Sequence, residues 1–538
     1  MATKKRNVDV LIIGAGIAGI TVALELLDSN KKILLLDRDH KKNLGGLAKQ
    51  AFGGMALCGT GIQRLNGVHD SAELMLKDWL SFADFTVEDK WPRLWAEAYC
   101  ERNFEDVYVW LKRNKVTFFP AVNWVERGEY RPGNSVPRYH LLWGTGWQLV
   151  ARLTEQLFSH RNVENLELAF QHKVEELMVS AGSVVGAKGV NEANHEEFEI
   201  ESSLTVIASG GINGNIDKVR QNWPSGWPLP DTILNGSHQF SDGMMHDAVE
   251  KAGGNITHLD WQWNYAAGIR HPSPSLPDHG LSLIPPKSAL WLDAFGRRIG
   301  PRPMVTGFDT HELCERVSAL PMGYSWQIMN RKIARKEISI SGSEHNPAIR
   351  DRKLVRFIKE IVLGNDELYD YLVNQCPDVV VAPNLSELAV KMTELSGTPI
   401  DKVGMEEDVH DYDMGIRRGS AQFNDDQLRR IQQVRSWRSD RLRTLNAQPI
   451  EDPKAGPLIA IREFIISRKS MGGIQTDLHS RVMDPSGHAI DGLYAVGEAA
   501  GFGGGGANGK RALEGTFLSS CILSGRIAAR SILGATNP

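Results

Sequence analysis

The stretch VDVLIIGAGIAGITVALELLDSNKKILLLDRD, residues 8–39, leaves this chain few ways to fold. Val8 to Ile13 is a short β-branched run, the length of a buried parallel strand. Gly14, Gly16 and Gly19 follow as G-x-G-x-x-G, and Ile17 to Leu27 carries helical apolar spacing. Ile33 to Leu36 is a second buried strand that ends on Asp37. Gly14 permits a tight turn, Gly16 lets the backbone approach a pyrophosphate, and Gly19 lets the helix pack on the strand. The helix N-terminus offers free N–H groups and a positive dipole end to phosphates. Asp37 stands about 20 residues beyond the glycines, where a carboxylate binds ribose hydroxyls. Strand, helix, strand and terminal acid in register predict a dinucleotide-binding α/β unit. The motif alone does not separate NAD from FAD.

Further strand-and-glycine units follow. Residues 43–60 carry the pairs Gly45-Gly46 and Gly53-Gly54. In LTVIASGGINGN, residues 204–215, a strand from Leu204 to Ala208 runs into Ser209 and Gly210. In GLYAVGEAAG, residues 492–501, a strand ends in Gly497-Glu498, an acid poised for a sugar or ribityl hydroxyl. Next comes GFGGGGANGKR, residues 501–511, and an apolar helical run begins near Gly515-Thr516. A linker would be isolated and polar, whereas this glycine run lies between a strand of nucleotide-binding type and an apolar helix.

Bulk properties exclude several classes. A chain of 538 residues is long enough for more than one domain. Its net charge of -4 makes no electrostatic case for nucleic acid or an acidic membrane. Five scattered cysteines, with no CxxC or Cys/His metal spacing, suit free thiols in a reducing compartment and argue against a disulfide framework or a zinc site, so no metal is expected. The basic start MATKKRN precedes an apolar run, but that run has the nucleotide glycine spacing and no A-x-A-like cleavage site follows. No apolar run reaches the length of a membrane span, so the expected location is cytoplasmic. There is no G-x-S-x-G nucleophile signature.

IIGAGIAG, the GG-x-A-K-x-A-x-GGM stretch, IASGG, FSDGMMHDAVEKAGG, SMGGIQTD and GLYAVGEAAG occur in one order along the chain. Together they resemble the FAD-dependent superfamily of fumarate reductase and succinate dehydrogenase flavoproteins and 3-ketosteroid dehydrogenases. The chain looks closest to the FAD-binding dehydrogenases near the ketosteroid branch. The resemblance covers roughly residues 6–60, 200–300 and 460–530. It implies a doubly wound, Rossmann-like α/β FAD-binding domain built from residues 1–270 and 466–538. An α+β capping domain, residues 271–465, is inserted between them. The middle holds the charged stretches RKLVRFIKEIVLGNDELYDYLVNQ and DQLRRIQQVRSWRSDRLRTL, expected to be solvated amphipathic helices.

The resemblance implies FAD contacts at Gly14, Gly16, Ala18, Gly19, Asp37 and Arg38, and at Gly45, Gly46, Leu47, Ala48, Gly53 and Gly54. It extends them to Val174, Ala208, Ser209, Gly210, Gly497, Glu498, Gly515 and Thr516. Gly503 to Gly506 are expected beside the isoalloxazine, with the helix starting at Gly515-Thr516 facing its pyrimidine ring. Succinate dehydrogenases carry a histidine bonded to flavin; Leu47 occupies that neighbourhood, so FAD is expected to be non-covalent.

Departures from each branch narrow the chemistry. Arg468 and Lys469 replace the substrate-clamping histidine before MGG, and Ile284, Pro285 and Lys287 stand where a proton-delivering Glu-Arg pair is expected. These changes argue against fumarate reduction. The ketosteroid branch polarises its ketone with a tyrosine near the C-terminal helix, and Arg511 falls at or beside that place. Arg511 can stabilise an enolate or clamp a carboxylate through two parallel hydrogen bonds; the competing reading is an ion pair with Glu514. Tyr324 is a proton carrier in the cap or a packing residue, and Lys287 and Lys469 are further candidates for polarising a carbonyl. Seven tryptophans between residues 79 and 147 wall an apolar cavity or belong to the core.

The expected reaction is hydride transfer between flavin N5 and a carbon next to a carbonyl, on a small ketosteroid-like or enoyl/keto-acid substrate. Alternatives are an oxidase or dehydrogenase of C–N or C–O bonds, and a flavin-binding redox sensor without turnover. The electron acceptor and the oligomeric state stay open.

Overall fold

The computed structural model describes residues 4–534. The first strand, Lys4–Ile13, outruns its apolar stretch because residues 4–8 pair with residues 198–202 of a neighbouring strand. It lies parallel between Ile33–Leu36 and Glu196–Ile207. Leu166–Ala169 extends this parallel array on one side and Ala489–Ala495 on the other. An antiparallel ribbon, His172–Ser180 and Ser183–Asn191, joins Glu196–Ile207. Val10, Leu11, Ile12, Leu34 and Val206 have no exposed surface, as strands covered by helices on both faces require. The chain thus builds one doubly wound sheet from strands near both of its ends.

The second large sheet belongs to the cap and is mostly antiparallel. Its strand order is Leu290–Leu292, Tyr324–Asn330, Leu458–Ser470, Gln262–Arg270, Gly280–Ile284 and Ser339–Ile340. Ile233–Asn235 and Val379–Ala382 also pair with Leu458–Ser470. This sheet takes in strands before residue 271 and continues to Ser470. The crossings between the two sheets therefore lie outside the expected 271–465 limits, because strand pairing rather than local composition sets them. Leu458–Ser470 is the seam: its early residues are cap core, and Arg468 and Lys469 near its end reach the large cavity between the sheets.

The glycine run is placed differently from expectation. A Cβ at Gly503 would meet the Trp95 ring at 2.4 Å, one at Gly504 the Trp91 backbone at 2.7 Å, and one at Gly506 the Trp261 ring at 3.0 Å. None of Gly503 to Gly506 lines the large cavity, although the adjacent Phe502 does. The bare backbone accommodates indole rings. Trp79 and Trp95 are fully buried, and their Nε1–H groups donate to Ala507 O and Asp477 O.

A three-stranded sheet, Gly54–Ala56, Tyr139–Leu142 and Phe118–Asn123, carries residues toward the cavity between the large sheets. Arg138, immediately before its central strand, is wholly buried with Asp70 and nearly so with Asp78. Its Nε and Nη2 donate to the two Asp70 oxygens at 2.9 and 2.8 Å, and Nη1 donates to Asp78 and to Asn134 Oδ1. Removing the guanidinium leaves two buried carboxylates without their cation. Arg138→Met should destabilise the protein by about 3–5 kcal/mol, seen as a lower melting temperature. Adding Asp70→Leu and Asp78→Leu should recover part of that loss.

Candidate active site

The large cavity opens at the carboxyl ends of the parallel strands, where Ile13, Leu36 and Ala208 reach its wall. Gly14, Gly16 and Ala18 line its inner end. A Cβ at Gly16 would meet nothing within 4 Å, so the backbone there faces open space. The helix Ile17–Leu26 starts at that point with no side-chain cap and no acid in its first turn. Its N–H groups and dipole are left for an anion. Gly19 acts elsewhere: a Cβ on it would lie 2.0 Å from Gly14 O, so its bareness serves helix-to-strand packing.

Asp37 lines the next section. Its Oδ2 accepts from Ala15 N–H at 2.6 Å and its Oδ1 from Asp39 N–H at 2.7 Å. Burial pushes this carboxyl above the ordinary aspartate range. Arg38 also lines the cavity, but Glu192 and Asp242 hold its guanidinium at 2.9 Å. The wall includes Asp39 and His238, paired at 3.1 Å, which the sequence reading did not assign. Asp39 is lowered to about 2, with hydrogen bonds from His238, His40 and Asn43 outweighing desolvation. The FSDGMMHDAV stretch lines the same region through residues 240–245; as a motif it was visible, but no single residue in it announced a contact.

Gly45, Gly46, Leu47, Ala48, Gly53 and Gly54 form the middle, with Val174, Ala208, Ser209 and Gly210 also on the lining. At Gly54 the constraint is packing: a Cβ would fall 1.7 Å from the Tyr139 ring. Gly497, Gly515 and Thr516 stand behind the lining. A Cβ at Gly497 would meet that of Ala18 at 2.8 Å, Gly515 begins the helix Thr516–Ile532, and Thr516 Oγ1 donates to Asn508 Oδ1 at 2.7 Å. These three shape the site by letting segments approach one another.

The far end is crowded with ionisable groups: Arg468, Lys469, Glu498, Glu514, Tyr139 and Tyr265. Glu498 Oε1 accepts from Ser470 N–H at 3.0 Å. Burial pushes the Glu498 carboxyl up and the neighbouring Lys469 ammonium down. Glu514 Oε2 accepts from Tyr265 O–H at 2.8 Å and from Trp263 Nε1–H at 3.0 Å. Burial and the Glu514 charge hold the Tyr265 phenol well above its ordinary value. Lys469 Nζ lies 4.1 Å over the Phe517 ring, and Arg468 Nη1 donates to Gly236 O while its Nε has no partner among the described residues.

Three expected catalytic residues lie outside this lining. Arg511 pairs with Asp84 and Asp309, each at 3.3 Å, rather than with Glu514. The backbone turn before Gly515 sends Glu514 inward instead. Tyr324 is buried in the cap core with its O–H donating to Thr398 Oγ1 at 3.1 Å. Lys287 is half-buried near Asp440, Glu337 and Arg443, and desolvation lowers its pKa. Tyr265 and Tyr139 carried no motif, and Glu514 entered only as a partner for Arg511; their meeting depends on three distant segments. Among the described residues no group of three His, Cys, Asp or Glu can hold a metal, and all five cysteines are free.

The residues fit FAD: an uncapped helix end and bare Gly16 for the pyrophosphate, Asp37 and Glu498 for sugar and ribityl hydroxyls, and the uncapped start of Thr516–Ile532 at the far end. Comparison with known proteins agrees. A family described as FAD binding domain matches residues 9–518. A KsdD-like steroid dehydrogenase of Mycobacterium tuberculosis is 40% identical over 543 residues, covering 97% of this chain and 95% of that protein. A 3-ketosteroid Δ1-dehydrogenase of Sterolibacterium denitrificans is similar in fold, with TM-score 0.72 and 16% identity over 99% of this chain and 100% of that one. A flavocytochrome c3 fumarate reductase gives 0.68 and 19% over 98% and 78%. With its cofactor cradle and its match along nearly the whole length, the chain belongs to the FAD binding domain family and uses FAD.

Proposed function

We propose that this protein moves a hydride between FAD and a substrate carbon next to a carbonyl, removing or adding hydrogen across a CH–CH bond. The observation that carries this reading is the 2.8 Å hydrogen bond from Tyr265 O–H to Glu514 Oε2, on the cavity wall that also holds Lys469 and Arg468. FAD, when bound, supplies the two-electron hydride acceptor or donor. The chain supplies the proton chemistry. In the oxidative direction one carbon loses a hydride and its neighbour loses a proton, leaving C=C. Tyr265 stays protonated because burial and Glu514 disfavour a phenolate. Its oxygen therefore takes the substrate proton only as its own passes to Glu514 Oε2, and the reverse sequence delivers a proton. Lys469 and Arg468 stabilise negative charge growing on the carbonyl oxygen.

Arg511 is committed to Asp84 and Asp309, which withdraws the guanidinium on which a carboxylate substrate rested. A neutral ketone is the favoured substrate class, and the name of the Mycobacterium tuberculosis relative supports a steroid. Five free thiols support a reducing compartment.

Anaerobic mixing with 3-ketosteroids, enoyl acids and dicarboxylates tests the reading; ketosteroids should bleach the flavin, and bleaching by none of the three would defeat it. Glu514→Gln and Tyr265→Phe should each slow that step about a hundredfold or more with FAD retained, whereas Arg511→Lys should react at the wild-type rate. Lys469 is lowered to about 8, first by burial, so its positive charge is lost as pH rises through that value. The rate should fall above about pH 8, and Lys469→Gln should flatten this alkaline limb. Leu47 at the cavity wall offers no nucleophile for a flavin bond. Acid precipitation should leave the chain colourless and the FAD in the supernatant.

A further inference from the structure

A helix with one apolar stripe normally turns it toward the core. The helix Asp426–Ser436 does so, burying Leu428, Ile431 and Val434. The helix Leu354–Leu363 buries only Phe357. Val355 is 84% exposed, Leu363 63%, and Leu354, Ile358 and Val362 about half. Leu354, Val355, Ile358 and Val362 share one face by their spacing. Scattered exposed apolar residues are ordinary, but a continuous stripe marks a contact surface. The helix end is nonetheless anchored, since Lys336 Nζ donates to Ile361 O and, at 2.8 Å, to Val362 O.

This helix also walls a second cavity. Phe357, Ile358, Ile361 and Val362 face Phe119 and Leu141 across it, and Phe52 lines both this cavity and the large one. The exposed Ile358 and Val362 therefore stand where a largely apolar cavity, whose wall also carries Arg335, Lys336, Glu360 and Arg443, adjoins the flavin site and meets solvent.

Charge distinguishes the possible occupants. Residues 350–363 hold Arg350, Arg352, Lys353, Arg356 and Lys359 against only Asp351 and Glu360, a local excess hidden in the overall balance of -4. Most nearby acids are matched, Glu360 and Glu367 by Arg356 and Asp366 by Arg331 and Arg335, while the exposed Asp370 on the next helix has no ion pair among the described residues. Lys359 is exposed and has no carboxylate partner among the described residues, whereas Arg352 is half-buried with its Nε donating to Trp143 O at 2.9 Å. An apolar stripe with cations along its flank suits an anionic lipid surface.

We propose that the helix Leu354–Leu363 beds on an anionic bilayer surface at the mouth of the apolar cavity. Docking stands on the bare stripe and its charge; that lipid delivers an apolar substrate there rests on the proposed reaction. The test uses FAD-loaded protein sedimented with phosphatidylcholine vesicles or with vesicles containing phosphatidylglycerol, without substrate. A failure of the proposed chemistry therefore leaves the readout intact. The protein should bind the anionic vesicles and release as salt rises. Val355→Glu and Leu363→Glu should abolish binding, and Lys359→Gln should weaken it about fivefold, all with FAD content unchanged. Absence of vesicle binding, or variants that bind like wild type, overturns the proposal. So does lipid-free self-association that Val355→Glu removes, which would assign the stripe to a second copy.

Discussion

The burial of the helix Ile17–Leu26 on all sides is the constraint on which the site depends. Nine of its ten residues are buried, which a helix sandwiched between a sheet and another helix requires. The other helix is Thr516–Ile532, from the opposite end of the chain, and small residues let the two approach. A Cβ at Gly525 would meet Ala18 O at 3.0 Å, and one at Gly497 would meet the Ala18 side chain. This contact fixes the uncapped phosphate-binding end of the first helix and the start of the last helix in one frame. Such close packing transmits any added methyl group into the position of the cofactor cradle.

The cavity separates binding from reactivity along its length. At the inner end the groups are held: Asp37 by two backbone N–H groups, Asp39 by His238, Arg38 by two carboxylates. At the far end they are poised, with Lys469 over an aromatic ring, an Arg468 nitrogen without partner, and Glu514 sharing one oxygen between a phenol and an indole. Burial moves Glu498 and Lys469 in opposite directions, each toward its neutral form. A low dielectric there makes small charge changes on a bound molecule matter more than they would in water. The cap supplies that enclosure through the strand Leu458–Ser470, which links its core to the reacting end.

Local pattern made much of this protein legible. The glycine spacing, the apolar strand lengths and Asp37 at a strand end placed the cofactor domain, because each is a constraint between residues close in sequence. The observed Ile17–Leu26 and Ile33–Leu36 match that reading within a residue. Glu498 reaches the cavity for the same reason: it lies three residues past the end of the parallel strand Ala489–Ala495. Amphipathic spacing also marked residues 354–363 as helical, yet spacing cannot tell which side of a helix meets the core.

What only the tertiary structure decided were the meetings of distant segments. The glycines of residues 503–506 announce a close approach without naming the groups that approach, which are the Trp95 and Trp261 rings at Gly503 and Gly506, the Trp91 backbone at Gly504 and the Thr257 side chain at Gly505. Arg511 and Glu514 are three residues apart, and a turn ahead of Gly515 turns one toward Asp84 and Asp309 and the other into the cavity with Tyr265. Sequence determined the cofactor fold, because short-range geometry and apolar periodicity are written in neighbouring residues. The direction of each charged side chain was settled by partners hundreds of residues away, since a buried charge goes where its counter-charge or hydrogen bond is found.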